Sequence, residues 1–270
     1  FCVLEFFASY LSRRQSFPVL LIRSSLETPK WISAVEAQKL AVGMSTFSCC
    51  ELNHPNGMEC DKIASCGVLK NLIQSRVKYD HDIGADVEGR LTFVLQSWWQ
   101  RGLRDKASEV LSLEDFKFHL RWKTKNGDGE WFDRDNVSIL FYACIFAHVD
   151  IVMEVLQLLP TKNKQQRIDW LEHRVRRKGF VSFGIPGQTN ALFAAMAWGT
   201  PEIVRLLLQS GANPNVEDRN GFDPFMYACF YGRNSNIKFW LKQFKKWDIH
   251  RGNRATGANA LMLAVNQGPH

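Results

Sequence analysis

The sequence predicts an all-α fold: an α-helical N-terminal region followed by a solenoid of stacked helix-turn-helix repeats. Three observations carry that expectation. The chain matches itself, with Asp133–Cys144 aligning on Asp218–Cys229 at a constant offset of 85. Inside each copy apolar residues recur at i, i+3 and i+4, the period of a helix face. Glycine, proline and asparagine punctuate the copies at the places where short helices begin and end.

Residues 1–130 show no internal repeat. Helical periodicity is visible in Leu69–Val77, Leu91–Trp99 and Val110–Trp122. In the last of these Ser112 precedes Asp115 by three residues, the pattern of a capping box. Pro29-Lys30-Trp31 and His54-Pro55-Asn56-Gly57 read as turns. Gly84-Ala85-Asp86-Val87 faintly echoes Gly211-Ala212-Asn213-Pro214 in the second half. The expectation is a mostly helical region that caps the solenoid, because a terminal repeat would otherwise leave core residues in water.

Residues 131–270 divide into units of about 136–160, 187–220, 221–256 and 257–270, the last truncated. Leu192, Ala195 and Gly199 stand 33 residues ahead of Phe225, Ala228 and Gly232, and a further copy starts at Asn259-Ala260-Leu261-Met262. In the clearest unit Asn190 can accept backbone N–H bonds and start a first helix. Leu192, Ala195 and Met196 give that helix its apolar stripe, and Gly199 is expected to end it in a left-handed conformation. Pro201 suits the first turn of the second helix, where no N–H is needed. Ile203, Val204, Leu206, Leu207 and Leu208 are its packing residues, Gly211 closes it, and Asn213–Gly221 is an extended turn. Alanines at 143, 195, 228 and 264 allow close helix packing. A single unit cannot bury its apolar face alone, so the units stack.

The stretch Gly187–Asn215 resembles the ankyrin repeat family, whose pattern G-x-T-P-L-H-x-A-A-x-x-G-x-x-x-I-V-x-x-L-L-x-x-G-A-x-x-N it follows almost throughout. The T-P-L-H corner departs consistently, standing here as Ser138-Ile139-Leu140-Phe141, Asn190-Ala191-Leu192-Phe193, Asp223-Pro224-Phe225-Met226 and Asn259-Ala260-Leu261-Met262. No copy keeps the histidine, while a polar first position and an apolar third position survive. The resemblance covers about half the chain and implies a non-enzymatic scaffold for protein–protein interaction with no cofactor. The competing expectation is a larger multidomain enzyme or membrane protein in which the repeats are a regulatory or targeting arm. The chain begins at Phe1, not Met, and stops inside a repeat, which reads as a fragment.

Composition fits an ordinary folded protein, with 46% apolar and 23% charged residues. No run approaches the ~18 apolar residues of a membrane span. An odd number of cysteines, seven, points to free thiols in a cytoplasmic or otherwise intracellular setting. The enzyme signatures G-x-x-x-x-G-K, G-x-S-x-G and H-E-x-x-H are missing from the sequence. Lys125–Glu130 looks like the middle of an EF-hand loop, but Thr124 and Asp135 would be its first and twelfth ligands. Threonine is a poor first ligand and aspartate too short for a bidentate grip, so the segment is assigned to a finger loop. Cys49, Cys50, His54, Cys60 and Cys66 cluster loosely. Without two tight Cys-x-x-Cys pairs they read as free thiols, with zinc as the alternative, and no metal is assigned.

The charge is localised. Residues 161–186, an insertion of about 19 residues between the first two repeats, carry +5, residues 233–254 carry +6, and the remainder is −4 of the net +7. Arg167, Arg174, Arg176, Arg177 and Lys178, with Lys242, Lys245 and Lys246, are therefore candidates for an acidic protein surface or an anionic phospholipid. The alternative is a solvated helix from Arg167 to Lys178. Nucleic acid ranks lower, although Trp170, Trp240 and Trp247 lie in the basic stretches and aromatic rings stack on bases. Protein binding has a second candidate. Repeat register lines up Phe146, Trp198, Tyr231 and Gln267, with Tyr142 and Tyr227 on the same helices, into an aromatic stripe. Such a stripe is either a groove of binding anchors or core covered by residues 1–130, with the finger tips Arg219, Asn220 and Phe222 as the fallback site.

Overall fold

The computed structural model describes residues 3–12, 19–21, 28, 30–32, 39–44, 47–54, 59–103, 111–123, 131–159, 163–176 and 178–265. Among them are thirteen α-helices and one short hairpin. The chain packs as two compact units, residues 1–111 with 181–184, and residues 112–180 with 185–270.

The first unit contains α1 (Val3–Tyr10), β1 (Val19–Leu21), β2 (Lys30–Ile32), α2 (Ser48–Glu51), α3 (Asp61–Asp82) and α4 (Asp86–Trp99). The two strands pair antiparallel, with Leu20 opposite Trp31. Lys30 and Trp31, expected in a turn, are thus strand residues, a small departure from an all-α fold. Helices α3 and α4 form a tight antiparallel pair. Its interface admits the His81 ring because Gly89 has no side chain, and a Cβ there would sit 3.1 Å from His81 Nε2. His81 is oriented by Asp86, whose carboxylate lies 2.7 Å from its Nδ1. Phe6, Phe7 and Tyr10 of α1 are buried, with Phe7 and Tyr10 packed on Trp99. Gly84-Ala85 turns α3 straight into α4 with no finger between them, so the faint repeat echo there is a helix hairpin and not a repeat.

The second unit begins with α5 (Leu113–His119). Ser112 caps it with the capping box read from the sequence, accepting from Asp115 N–H while the Asp115 carboxylate accepts from Ser112 N–H. The boundary therefore falls before α5 and not at residue 131. The reason is packing: α5 contacts the first repeat, with Phe116 buried 5.4 Å from the Phe146 ring.

The repeats follow as α6 (Ile139–Phe146) with α7 (Val149–Leu158), α9 (Ala191–Ala197) with α10 (Pro201–Gln209), α11 (Pro224–Phe230) with α12 (Asn234–Gln243), and α13 (Ala260–Val265). Helix α8 (Lys164–Leu171) lies in the insertion. Inner helices α6, α9, α11 and α13 pack in a row, and outer helices α7, α10 and α12 pack in a second row. Ala143, Ala195 and Ala228 are fully buried where the inner helices meet. Ala264 is half-buried, and Leu261, Met262 and Val265 beside it are exposed.

The polar corner starts every inner helix. Ser138, Asn190, Asp223 and Asn259 accept N–H bonds from Phe141, Leu192 with Phe193, Met226 and Met262 respectively. Such a cap contributes about 0.5–2 kcal/mol. Pro201 occupies the first turn of α10 as expected, behind a Thr200 cap. Gly211, with φ 104, closes that helix. Gly199 differs from expectation, since it is not among the residues with positive φ. Space requires it instead: a Cβ there would meet Ala195 O at 2.8 Å.

Candidate interaction surface

The finger loops rest on one carboxylate network used twice. Asp133 Oδ1 accepts from the N–H groups of Asp135 and Val137, both at 2.9 Å, and its Oδ2 accepts from Tyr142 OH at 2.9 Å. Eighty-five residues on, Asp218 Oδ1 accepts from Asn220 and Phe222 N–H, and its Oδ2 from Tyr227 OH at 3.0 Å. Both loops turn on a left-handed residue, Asn136 (φ 61) and Gly221 (φ 80). In the next repeat Asn253 has the same role, accepting from Ala255 and Thr256 N–H. Burial pushes the Asp218 carboxyl above the usual aspartate range, although its N–H and Tyr227 hydrogen bonds act against that.

This network explains why aspartate and tyrosine recur together, and it bears on the aromatic stripe. Tyr142, Trp198, Tyr227 and Tyr231 are buried at 0–5% exposure, and Phe146 is half-buried. The tyrosines at 142 and 227 point at finger carboxylates. Trp198 packs on Tyr231 at 5.1 Å, and Trp122 packs on Tyr142 at 6.1 Å. The stripe is therefore core, and its reading as an exposed row of anchors is corrected. Gln267 lies outside the described residues. At the finger tip Arg219 is exposed, while Asn220 and Phe222 are partly covered, with Asn220 O accepting from Ala255 N–H of the next finger.

The insertion is likewise structural. The helix expected from Arg167 to Lys178 ends at Leu171, and the chain beyond it runs along the finger loops. Arg167 Nε donates to Ser210 O, and Arg174 donates to Gln188 O and to Glu217 O at 2.6 Å. Glu172 accepts from Asn213 N–H and from the Asn190 side chain, and burial raises its carboxyl above the usual range. Arg176 stays exposed but lies over the Phe180 ring and donates to Gly179 O. Arg167, Arg174 and Arg176 thus hold the fold together instead of forming a solvated helix. Lys178 is exposed, and Arg177 lies outside the described residues.

The second basic stretch is different. Three of its arginines have internal partners: Arg233 donates to Gly199 O and Trp198 O, Arg251 pairs with Asp223 and Glu217, and Arg254 pairs with Glu217. Lys238, Lys242, Lys245 and Lys246 are exposed and form no ion pair with a described residue. Lys238 and Lys242 are one helical turn apart on α12. Past its end Phe244 and Trp247 fold back on buried Trp240, at ring distances of 4.7 and 5.1 Å, which anchors the turn carrying Lys245 and Lys246. Leu241, 41% exposed, lies among these lysines in sequence, and Ile249, 39% exposed, follows three residues after the last of them. The tryptophans considered for base stacking are otherwise engaged, Trp240 in the core and Trp170 on Trp131 at 4.7 Å.

The EF-hand-like segment 124–130 lies outside the described residues, but Asp133 beyond it is occupied by its own finger. Of the five residues in the loose cysteine–histidine cluster, four converge in the first unit: Cys49, Cys50, His54 and Cys60. Cys66 is buried in α3 apart from them. Cys49, Cys50, Cys60 and Cys66 are free thiols, as expected from the sequence, and three of them share one locus with His54. The Lys62 backbone N–H at the start of α3, with His54, holds the Cys60 thiol down to about 7, and loss of hydration pushes Cys49 up to about 11.

Paired helices, capped corners and stacked fingers define a helical repeat solenoid. Residues 154–251 and 191–270 match the family described as ankyrin repeats (3 copies), so residues 154–270 are ankyrin repeats, and the region before them is unassigned. The chain is 35% identical over 98 residues to a probable E3 ubiquitin-protein ligase, XBOS32, of Oryza sativa subsp. japonica, covering 36% of this chain and 19% of that one. It is 33% identical over 81 residues to ankyrin repeat domain-containing protein 63 of Mus musculus, covering 29% of this chain and 20% of that one. The chain thus spans about a fifth of the length of these relatives. No helix among the described residues is long and apolar enough to cross a membrane.

Proposed function

We propose that the repeat unit is a non-enzymatic protein-binding module that recognises an acidic protein surface through α12 and the turn after it. One observation carries this reading. The arginines of both basic stretches have internal partners wherever they are described, whereas Lys238, Lys242, Lys245 and Lys246 present bare charge. An uncompensated patch of this kind raises the local concentration of acidic partners and speeds their encounter. Leu241 adds an exposed apolar side chain beside Lys242 on the same helix, and the Trp240 cluster keeps the turn preorganised. The family adds weight, since ankyrin repeats typically serve protein interaction.

The test is affinity capture with the full chain, compared with the quadruple variant Lys238→Glu, Lys242→Glu, Lys245→Glu, Lys246→Glu. Partners lost on reversal should be acidic, and their retention should fall with rising salt, because exposed charges are screened beyond ~8 Å at physiological ionic strength. Equal capture by both proteins, or capture indifferent to salt, would remove the reading. Selective binding of anionic liposomes by the unmodified chain would replace the acidic protein with a lipid surface.

A second reading rests on the likeness to a probable ubiquitin ligase. There the repeats would be the targeting arm of a larger enzyme, with chemistry elsewhere. The same lysine face would then choose what the enzyme acts on, so the charge-reversal experiment bears on both.

A further inference from the structure

The first unit contains a second chemical centre that the repeats do not use. Cys49 and Cys50 sit in the single turn of α2. Just past it Asn53 and His54 both take left-handed backbone, φ 53 and 52, and His54 N–H donates to Cys49 O at 2.8 Å. Asparagine and histidine are among the side chains that tolerate this region best. The chain thereby reverses and brings the imidazole back to the cysteine pair, with Nε2 at 3.7 Å from Cys50 Sγ. Cys60, the residue that opens α3, closes the group from the other side. Its sulfur lies 3.6 Å from Cys50 Sγ and 4.0 Å from Cys49 Sγ, while those two are 3.9 Å apart.

These separations are those of a metal site. Zinc holds thiolates at ~2.3 Å and imidazole nitrogen at ~2.0–2.1 Å in a tetrahedron, which spaces sulfurs by about 3.8 Å and sulfur from nitrogen by about 3.6 Å. The three sulfur–sulfur edges, at 3.6, 3.9 and 4.0 Å, bracket the first value, the Cys50–His54 edge at 3.7 Å lies near the second, and the four ligand atoms all lie within 4.8 Å of one another. Disulfide pairing would not produce the arrangement, since it joins two sulfurs at ~2.05 Å and leaves the third with no reason to be there. Asp61 N–H also points at Cys49 Sγ, at 3.4 Å, the outer hydrogen bond that a metal-bound thiolate accepts.

We propose that Cys49, Cys50, His54 and Cys60 bind one zinc ion in a closed, tetrahedral Cys3His site that ties α2 to the start of α3. With four protein ligands no position is left for water or substrate, so the role is structural. Binding replaces three thiol protons, which pass to solvent, and uses neutral imidazole as the fourth donor, with no change in oxidation state. The element stabilised is short. Helix α2 has four residues and no buried side chain, and so cannot hold itself by packing. Sequence spacing hid the site because the two adjacent cysteines and the doubled left-handed turn do not look like paired knuckles.

The full chain, purified under reducing conditions without chelator, should carry one zinc per molecule by elemental analysis. Exchange for cobalt(II) should give sulfur-to-cobalt charge transfer and the strong visible bands of a tetrahedral site. Cys50→Ser and Cys60→Ser should drop the metal to background, while Cys66→Ser, outside the cluster, should keep it in full. His54→Cys should retain cobalt with stronger charge transfer, a result that a variant failing to fold cannot give. Unmodified protein with no zinc and a weak octahedral cobalt spectrum would overturn the proposal. So would a disulfide recovered among these cysteines, or stoichiometric zinc in Cys60→Ser.

Discussion

Asn236 shows how a single side chain can join two repeats. It is fully buried at the start of α12, and its Nδ2 donates to the carbonyls of Ala195 and Met196 at 3.1 Å and of Gly199 at 3.3 Å. The first two are among the carbonyls that a helix leaves open at its C-terminus, and the third follows just beyond the end of α9, where Arg233 also donates. Asn236→Ala should cost about 1–3 kcal/mol, because the end of α9 would stay buried without a donor. Urea unfolding measures it, and a cost near zero would mean that Arg233 alone satisfies the site. Asp218 makes a pH prediction. Its folded pKa is raised, so the folded chain binds this proton more tightly than the unfolded chain does. The stabilising contribution is therefore complete below the ordinary aspartate value and declines as pH rises through the raised folded value. Asp218→Asn keeps an oxygen for the Asn220 and Phe222 N–H groups but does not titrate. It should flatten that portion of the stability–pH profile, and a profile that keeps its slope would assign the titration to Asp223 or Glu172, whose burial also raises them.

At the scale of elements, the insertion and the stretch 233–254 carry similar charge, +5 and +6, but the lysines of the second face solvent. Arg174 reaches carbonyl oxygens on two finger segments, whereas Lys245 reaches solvent. Arg174→Glu should lower the melting temperature, since it removes the two hydrogen bonds that Nη1 donates and places a carboxylate against carbonyls. Lys245→Glu should leave melting unchanged and act on binding alone. Differential scanning fluorimetry of the two variants side by side decides it, and equal shifts would contradict the division between staple and surface. The sequence could not make that division: both stretches are simply runs of Lys and Arg until the fold brings carbonyl groups to one of them.

For the solenoid as a whole, stability is roughly a sum of neighbouring interfaces, so damage spreads to adjacent repeats. Leu207 is fully buried in α10, which contacts α7 on one side and α12 on the other. Leu207→Ala should cost about 2–5 kcal/mol and raise hydrogen exchange in both neighbouring repeats. Exchange confined to residues 1–111 would be incompatible with stacking. Trp198→Ala should cost about 3–5 kcal/mol, because the ring is core. Lost partner binding with unchanged melting would restore the exposed-groove reading.

The repeat register, the four capped corners, the helix pairs and the Ser112 capping box were all legible in the amino-acid order. Each depends on residues within a few positions of one another, and repetition multiplies a weak local signal. The fate of the aromatic stripe was not legible, because a row of tyrosines and a tryptophan looks alike whether water or protein lies over it. Nor were the jobs of the arginines, which depend on carbonyl groups up to 43 residues away, as between Arg174 and Glu217. The cysteines beside His54 make the same point from the other end of the chain. Their types were visible in the sequence, but whether their sulfurs and the imidazole nitrogen meet at one point rests on two left-handed residues and the start of a later helix, and only tertiary structure decides that.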